Sequence, residues 1–72
     1  MSVWVLQVRK SGEEDDVYLF TEEEFAENAL FEYFSDEKID EEWKADVDAF
    51  GSYLYANEIG YYDIREQKVM EW

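Results

Sequence analysis

Asp and Glu are the residues of this sequence whose number and spacing could support catalysis, metal binding or the binding of a basic partner. The chain holds 20 Asp and Glu against six Lys and Arg, which gives a net charge of −14 over 72 residues. Self-repulsion at this density destabilises a compact state, so the position of the charge matters more than its sum. Residues 11–37 contain no base and eleven acids, which are Glu13, Glu14, Asp15, Asp16, Glu22, Glu23, Glu24, Glu27, Glu32, Asp36 and Glu37.

The residue types that are missing argue against most enzyme classes. The sequence has no His and no Cys, which removes His-assisted nucleophiles, thiol nucleophiles and nearly all zinc sites. Its three glycines are too few and too scattered for a phosphate-binding glycine loop. Paired carboxylates can act as acid and base in glycosidases, but a chain of this length leaves little room for a substrate cleft. We therefore expect no enzyme activity and no cofactor.

One short stretch resembles a calcium-binding loop. Asp46, Asp48 and Gly51 match positions 1, 3 and 6 of an EF-hand. Phe50 and Asn57 then occupy positions 5 and 12, where that loop needs oxygen ligands and a bidentate Glu. The match fails at the ligands, so we expect no metal site.

Three stretches have the composition of strands. "VWVLQV" at 3–8 and "VYLF" at 17–20 are rich in β-branched and aromatic residues, and the polar "RKSGEEDD" between them predicts a hairpin with a long acidic loop. Tyr61–Trp72 is a third strand by elimination. Glu66 and Lys68 break its alternation, which indicates a bulge or an edge position.

A first helix is predicted to start at a capping box formed by Thr21 and Glu24. At 100° per residue its apolar side chains fall on one arc, which we expect to be buried, with Glu24, Glu27, Asn28 and Phe31 on the opposite side. The residues of the expected buried arc are Phe25, Ala26, Ala29, Leu30, Tyr33 and Phe34.

A second helix is predicted from an N-cap at Asp40 to an end at Asn57 or Gly60. Its apolar stripe consists of Trp43, Val47, Phe50 and Leu54. Gly51 inside it indicates a close neighbour or a break. The elements predict one α+β domain over residues 1–72, in the order ββααβ, with a three-stranded antiparallel sheet and two helices packed on one face.

Acids on such elements can imitate the charge of a nucleic acid. Carboxylates at i and i+4 of a helix lie about 6 Å apart along its axis, and alternate strand residues lie about 6.6 Å apart. Successive phosphates of one DNA strand advance by about 3.4 Å along the axis and lie farther apart through space because the strand winds around it. Acidic helices and strands can therefore present charge at a density like that of a nucleic acid. The residues expected to contact a partner are Glu13, Glu14, Asp15, Asp16, Glu24, Glu27, Phe31, Asp36 and Glu37.

The segments "GEEDD", "TEEEFAE" and "SDEKIDEE", together with many aromatics and no Cys, resemble a functional class of small acidic DNA-mimic inhibitors. This class includes anti-restriction proteins, anti-CRISPR proteins and uracil-DNA glycosylase inhibitors of phages and mobile elements. The resemblance implies an inhibitor in the host cell cytoplasm that occupies the basic groove of a nucleic-acid-binding protein. It implies no direct binding to nucleic acid and no contact with a membrane.

Two other interpretations fit the same composition. The chain could be an adaptor or regulator for a different basic partner, or a halophile-type domain whose acidity keeps it in solution at high salt. Glu22, Glu23 and Glu24 would be favoured in the first turn of any helix by its dipole. Phe31, on the acidic side of the first helix, is expected to anchor either the target or a second copy of the chain, which leaves a homodimer open.

Overall fold

The fold is described by a computed structural model that covers residues 2–69. Its central strand, β1, pairs antiparallel with β2 on one side and with β3 on the other. The predicted ββααβ order and three-stranded antiparallel sheet are confirmed. The elements are β1 (Ser2–Lys10), β2 (Asp16–Phe20), α1 (Glu23–Tyr33), a 3-10 turn (Glu41–Lys44), α2 (Val47–Ala56) and β3 (Gly60–Lys68).

The hairpin of β1 and β2 forms as predicted, with the acidic segment in its loop. The two strands pair from Trp4–Phe20 to Val8–Asp16. Gly12 adopts φ +83°, a left-handed conformation that glycine takes at little steric cost. The Glu13 amide then donates to the Lys10 carbonyl at 2.9 Å and closes the turn.

β3 runs beside β1 in one unbroken register, from Ser2–Lys68 to Lys10–Gly60. Because β3 is an edge strand, Glu66 and Lys68 are tolerated there, and the pairing within 60–68 contains no bulge. The last residues of the predicted third strand, 70–72, lie outside the described residues.

The core lies between one face of the sheet and both helices, as predicted. Successive strand residues point to opposite faces, and the even-numbered residues of β1 face the helices. Each fully buried side chain of this kind contributes about 1.5–3 kcal/mol. The fully buried large side chains are Leu6, Val8, Leu30, Phe34, Phe50 and Leu54.

The start of α1 differs from the prediction. The residue before the helix is Glu22, and its side chain makes no capping hydrogen bond, so the Thr21–Glu24 capping box is wrong. Only the backbone closes this end, where the Ala26 amide donates to the Glu22 carbonyl at 3.4 Å. Phe20 is still paired with Trp4, and the chain uses two further residues to leave the sheet.

The buried face of α1 is turned toward Phe31 relative to the prediction. Phe25, expected inside, is 51% exposed, whereas Ala26, Leu30 and Phe34 are completely buried. Phe31, expected outside, is half-buried. Its ring packs edge-on against Phe50 of α2, with 4.8 Å between the ring centroids. The prediction for these two phenylalanines is wrong because α1 is packed against α2 as well as against the sheet.

The second helix is shorter than predicted. Asp40 precedes only the 3-10 turn and makes no side-chain cap. α2 starts after Asp46, whose carboxylate accepts a hydrogen bond from the Ala49 amide at 2.8 Å. An Asp in this position favours a new helix start over a continuous helix. Trp43 is therefore separated from the α2 stripe and packs on Tyr53 at a centroid distance of 5.2 Å, partly exposed.

Two other predictions for α2 are confirmed. Asn57 ends the helix, and its amide donates to the Tyr53 carbonyl at 3.1 Å. Gly51 admits a close neighbour, because a Cβ at this position would collide with the ring of Tyr62. That ring lies across α2, where its hydroxyl donates to the Val47 carbonyl at 3.0 Å.

Candidate functional site

The fold brings two acidic segments together at one end of the molecule. The hydroxyl of Tyr33, the last residue of α1, donates to a carboxylate oxygen of Asp16 at 2.9 Å. The Lys10 ammonium donates to both carboxylate oxygens of Asp36 at 3.0 and 2.9 Å. These contacts join the hairpin loop to the segment that follows α1. We call the resulting surface the acidic end, and it consists of Glu13, Glu14, Asp16, Asp36 and Glu37.

The negative potential of the acidic end shifts the pKa values of the side chains that contact it. The pKa of Lys10 is raised, chiefly by its hydrogen bond to Asp36, and the carboxylates of Glu13 and Glu37 raise it further. The same hydrogen bond lowers the pKa of Asp36. Burial, followed by the hydrogen bond to Asp16, raises the pKa of Tyr33 to about 12. The carboxylates are thus close enough to act on the same neighbours.

Most of this charge is available to a partner. Asp36 forms an ion pair with Lys10, but Glu13, Glu14 and Glu37 form no ion pair with another residue of 2–69. Glu13 and Glu14 are exposed in the loop. Exposed charges of this kind act at long range on association and are screened by salt.

Asp15 was predicted to act with its neighbours, but its side chain turns to the other face of the sheet. There it accepts a hydrogen bond from the Gln7 amide at 2.8 Å. Its second oxygen lies 3.7 Å from the Arg9 guanidinium. The alternation of β2 could have predicted this orientation. Val17 pairs with Gln7, and Asp15, two residues before Val17, falls on the same face of the sheet.

Glu24 and Glu27 were also expected to belong to the same surface, but they lie apart from the acidic end. At a rise of 1.5 Å per residue, Glu24 is about 14 Å along the axis from Tyr33. Glu24 is exposed and Glu27 is half-buried. Burial raises the pKa of Tyr62, with the carboxylates of Asp48 and Asp46, and to a smaller extent that of Glu27, adding to the effect. Glu27 therefore acts on Tyr62 of β3, and its carboxylate is not among those that raise the pKa values of Lys10 and Tyr33.

The exposed aromatic side chain of α1 is Phe25 and not Phe31. Phe25 lies one helical turn after Glu22 and two turns before Glu32, and both of these carboxylates are exposed. At 100° per residue Phe31 lies about 100° from Leu30 on one side and Phe25 about 140° from it on the other, so the apolar arc can be turned to include either ring while it keeps Ala26, Leu30 and Phe34. The contact of Phe31 with Phe50 decides between them, and no pattern within α1 contains that information.

Sequence reasoning missed a tyrosine-lined region between α2 and β3. Two shallow grooves of about 380 and 400 Å³ meet there at Tyr55, Gly60 and Tyr61. Tyr55 is 83% exposed, and the Arg9 guanidinium lies 5.6 Å from the centre of the Tyr61 ring. Exposed tyrosines are frequent at protein interfaces. The high number of tyrosines in the sequence was therefore the feature that could have indicated this region.

A third groove, of about 330 Å³, opens beside the acidic end. Tyr18, Phe20, Ala29 and Tyr33 give it apolar walls, and Glu32 contributes a carboxylate. The Lys10 ammonium already lies 5.5 Å from the centre of the Tyr33 ring. A groove with aromatic walls and a carboxylate fits the aliphatic stem and the cationic head of Lys or Arg.

The acidic side chains do not gather into an ion-binding cluster in the part of the chain that the structure describes. No group of three acids within 2–69 is placed to hold a metal ion. Asp46, the first residue of the calcium-loop match, is used as a helix cap. Neither helix in this range is long and apolar enough to span a bilayer. Comparison of the chain with protein-family models, curated proteins and solved structures gives no match.

Proposed function

We propose that this chain inhibits a basic nucleic-acid-binding protein by presenting carboxylates in place of phosphates, in the cytoplasm of the cell where that target acts. The observation that supports this most directly is the acidic end. Two segments separated by a strand and a helix converge there, and Glu13, Glu14 and Glu37 are left without an ion pair among residues 2–69. The charge is carried by a folded surface, as competition for a rigid groove requires.

The length of the acidic surface suits a nucleic-acid groove. The exposed Glu24 and Glu32 of α1 are about 12 Å apart along the helix axis. This is the distance over which one DNA strand places three to four phosphates, at about 3.4 Å each. The acidic end extends the negative surface beyond the last turn of α1. A Lys- and Arg-lined groove would be attracted to such a surface over its whole length.

Charge attracts all basic proteins, so selection of one target needs contacts that exclude water. Phe25 takes over from Phe31 the role of an aromatic anchor for the target, because it is exposed among the carboxylates of α1. The groove between Tyr18 and Tyr33 can accept a Lys or Arg side chain of the target beside Glu32. Both features lie next to acidic residues that a basic groove would contact.

Capture from a bacterial lysate tests the proposal. Immobilised wild-type chain should retain basic nucleic-acid-binding proteins identified by mass spectrometry, and added double-stranded DNA should displace them. A variant with Glu13→Gln, Glu14→Gln and Glu37→Gln should retain them about tenfold less, because each rim charge contributes a few tenths to one kcal/mol.

The matched control carries Asp40→Asn, Glu42→Gln and Glu58→Gln, which remove the same charge from exposed positions elsewhere. Its retention should change by less than about threefold. Equal losses in both triple variants would show that only net charge matters and would contradict the proposal. Retention that DNA does not displace would favour an adaptor for a different basic partner.

A further inference from the structure

The face of the sheet that points away from the helices carries exposed apolar side chains. We define the open face as the odd-numbered residues of β1, β2 and β3, with Asp15. On β2, Val17 is 57% and Leu19 is 65% exposed. They oppose Gln7 and Val5 of β1, and Val5 is almost fully buried although it is not part of the helix-side core. Apolar strand residues in this position are typical of a face that is covered by something else.

The open face is balanced in charge, unlike the rest of the chain. Its described charges are two Arg and two Asp, which cancel. The whole net charge of −14 therefore lies elsewhere. Side-chain contacts hold the four groups together, since Arg65 donates to Asp63 and approaches Gln7 at 3.5 Å, and Gln7 donates to Asp15. A basic partner would gain more from the acidic side than from this one.

We infer that the open face is the site at which two copies of this chain pair face to face. Each Arg of this face lies beside an Asp, so the face carries no net charge that would oppose a second copy, and each copy offers both a cation and an anion to the other, as an isologous interface requires. Face-to-face packing places the acidic helix layers on the two outer sides of the dimer. The shortest extent of the chain is 17 Å. The outer layers are therefore separated by more than the Debye length, about 8 Å at physiological ionic strength.

The dimensions of the sheet predict a weak dimer. β1 and β3 have nine residues each and β2 has five. At about 3.3 Å per residue and about 4.8 Å between strands, the face covers roughly 360 Å² per copy. Two such faces bury less than the roughly 1,200–2,000 Å² of stable complexes. The dimer should therefore depend on concentration and should form without disturbing the acidic end.

The salt dependence distinguishes this interface from target binding. Two chains of like net charge repel at long range, so added salt should favour the dimer. Capture of a basic target on the acidic side should weaken under the same change. In a single series of sodium chloride concentrations, dimer affinity should therefore rise while target affinity falls.

Sedimentation equilibrium over a series of protein concentrations tests the inference. The wild-type chain should pass from monomer to dimer, and raising the salt from low to moderate concentration should shift the transition to lower protein concentration. Val17→Thr with Leu19→Thr places a β-branched residue at both positions of β2 and removes exposed apolar groups, and should weaken the dimer about tenfold. Phe25→Ala, an equally exposed apolar site on α1, should leave dimerisation unchanged.

A second measurement avoids dependence on the folding of the variant. On dilution of the wild-type chain, amide resonances of Val5, Val17 and Leu19 should shift while those of Phe25 and Glu32 stay constant. A chain that is monomeric at every concentration and salt would overturn the inference. So would a dimer that the double variant leaves intact, because that dimer would use another surface, such as a strand edge.

Discussion

The two faces of the one sheet are built from alternate residues of the same strands and differ in almost every physical property. Leu6 and Val8 lie under the helices and are completely buried. Gln7, between them, lies in a hydrogen-bonded set with Asp15 and Arg65 on the open face. The covered face is held by apolar packing, whereas the open face is held together by polar contacts around one buried valine.

This difference separates folding from recognition within a very small domain. The helix side contains the aromatic core, and the outer surface of its two helices carries four exposed carboxylates, those of Glu23, Glu24, Glu32 and Asp48. The open face contributes little to the core and no net charge. Acids can therefore accumulate on the outside of the helix layer without entering the interior, where burial of any charge would be costly. Among residues 2–69 no charged side chain is buried.

The largest effect is expected from emptying the covered face. Phe34→Ala removes a completely buried ring that packs edge-on against Phe50 at a centroid distance of 6.0 Å. It should lower the free energy of unfolding by about 3–5 kcal/mol. This approaches the whole stability of a domain of this size. Urea denaturation followed by circular dichroism measures the change.

The matched change on the open face is Leu19→Thr. At a concentration that keeps the chain monomeric, it should alter the free energy of unfolding by no more than about 0.5 kcal/mol, as for an ordinary surface site. If Leu19→Thr lowers the free energy of unfolding as much as Phe34→Ala does, the open face contributes to the stability of the monomer as much as the covered face, and the comparison fails.

A smaller effect is expected at the boundary of the covered face, in α1. Phe31→Ala should lower the free energy of unfolding by about 2 kcal/mol, since the ring is half-buried and pairs with Phe50. Phe25→Ala should change it by less than about 0.5 kcal/mol. Thermal unfolding of both variants gives the comparison. The reverse order would mean that α1 is rotated about its axis relative to the orientation given above.

The smallest effect is expected from the contact that joins α1 to the hairpin loop. The pKa of Tyr33 is raised from 10.0 to about 12 by burial and by the hydrogen bond to Asp16. The neutral Tyr33 hydroxyl therefore contributes to the free energy of unfolding. This contribution should be fully present below pH 10 and should be lost as the pH rises through 12. Tyr33→Phe should lose less stability than the wild-type chain across this range. Equal losses in urea titrations at each pH would contradict the role given to this hydroxyl.

The sequence was sufficient to predict the order of the elements and the packing of both helices on one face of the sheet. Strand composition, the polar loop and the helical spacing each depend on residues close together in the chain. Alternation along β1 by itself separates Leu6 and Val8, on one side of the sheet, from Val5 on the other. These features follow from local periodicity, which is strong in a chain with so many aromatic and β-branched residues.

The errors concern contacts between elements. The exchange of Phe25 and Phe31 depends on where α2 meets α1, and the short α2 depends on whether Asp40 or Asp46 caps it. The acidic end was anticipated only in part. The loop and residues 36 and 37 do meet, but Asp15 turns to the open face and Glu27 acts on Tyr62 of β3. Charge in the sequence predicts which residues are exposed and does not predict on which side.

The central position of β1 also has a consequence for how the chain is made. The pairing of Ser2 with Lys68 and of Lys10 with Gly60 joins the strand that is made first among these three to the strand that is made last among them. Until residues 60–68 leave the ribosome, β1 has only β2 beside it, and the second edge of the central strand is unpaired. Pairings between distant segments slow folding, and an open strand edge invites association with other chains. The dense negative charge that follows β1 would keep nascent copies apart during this interval.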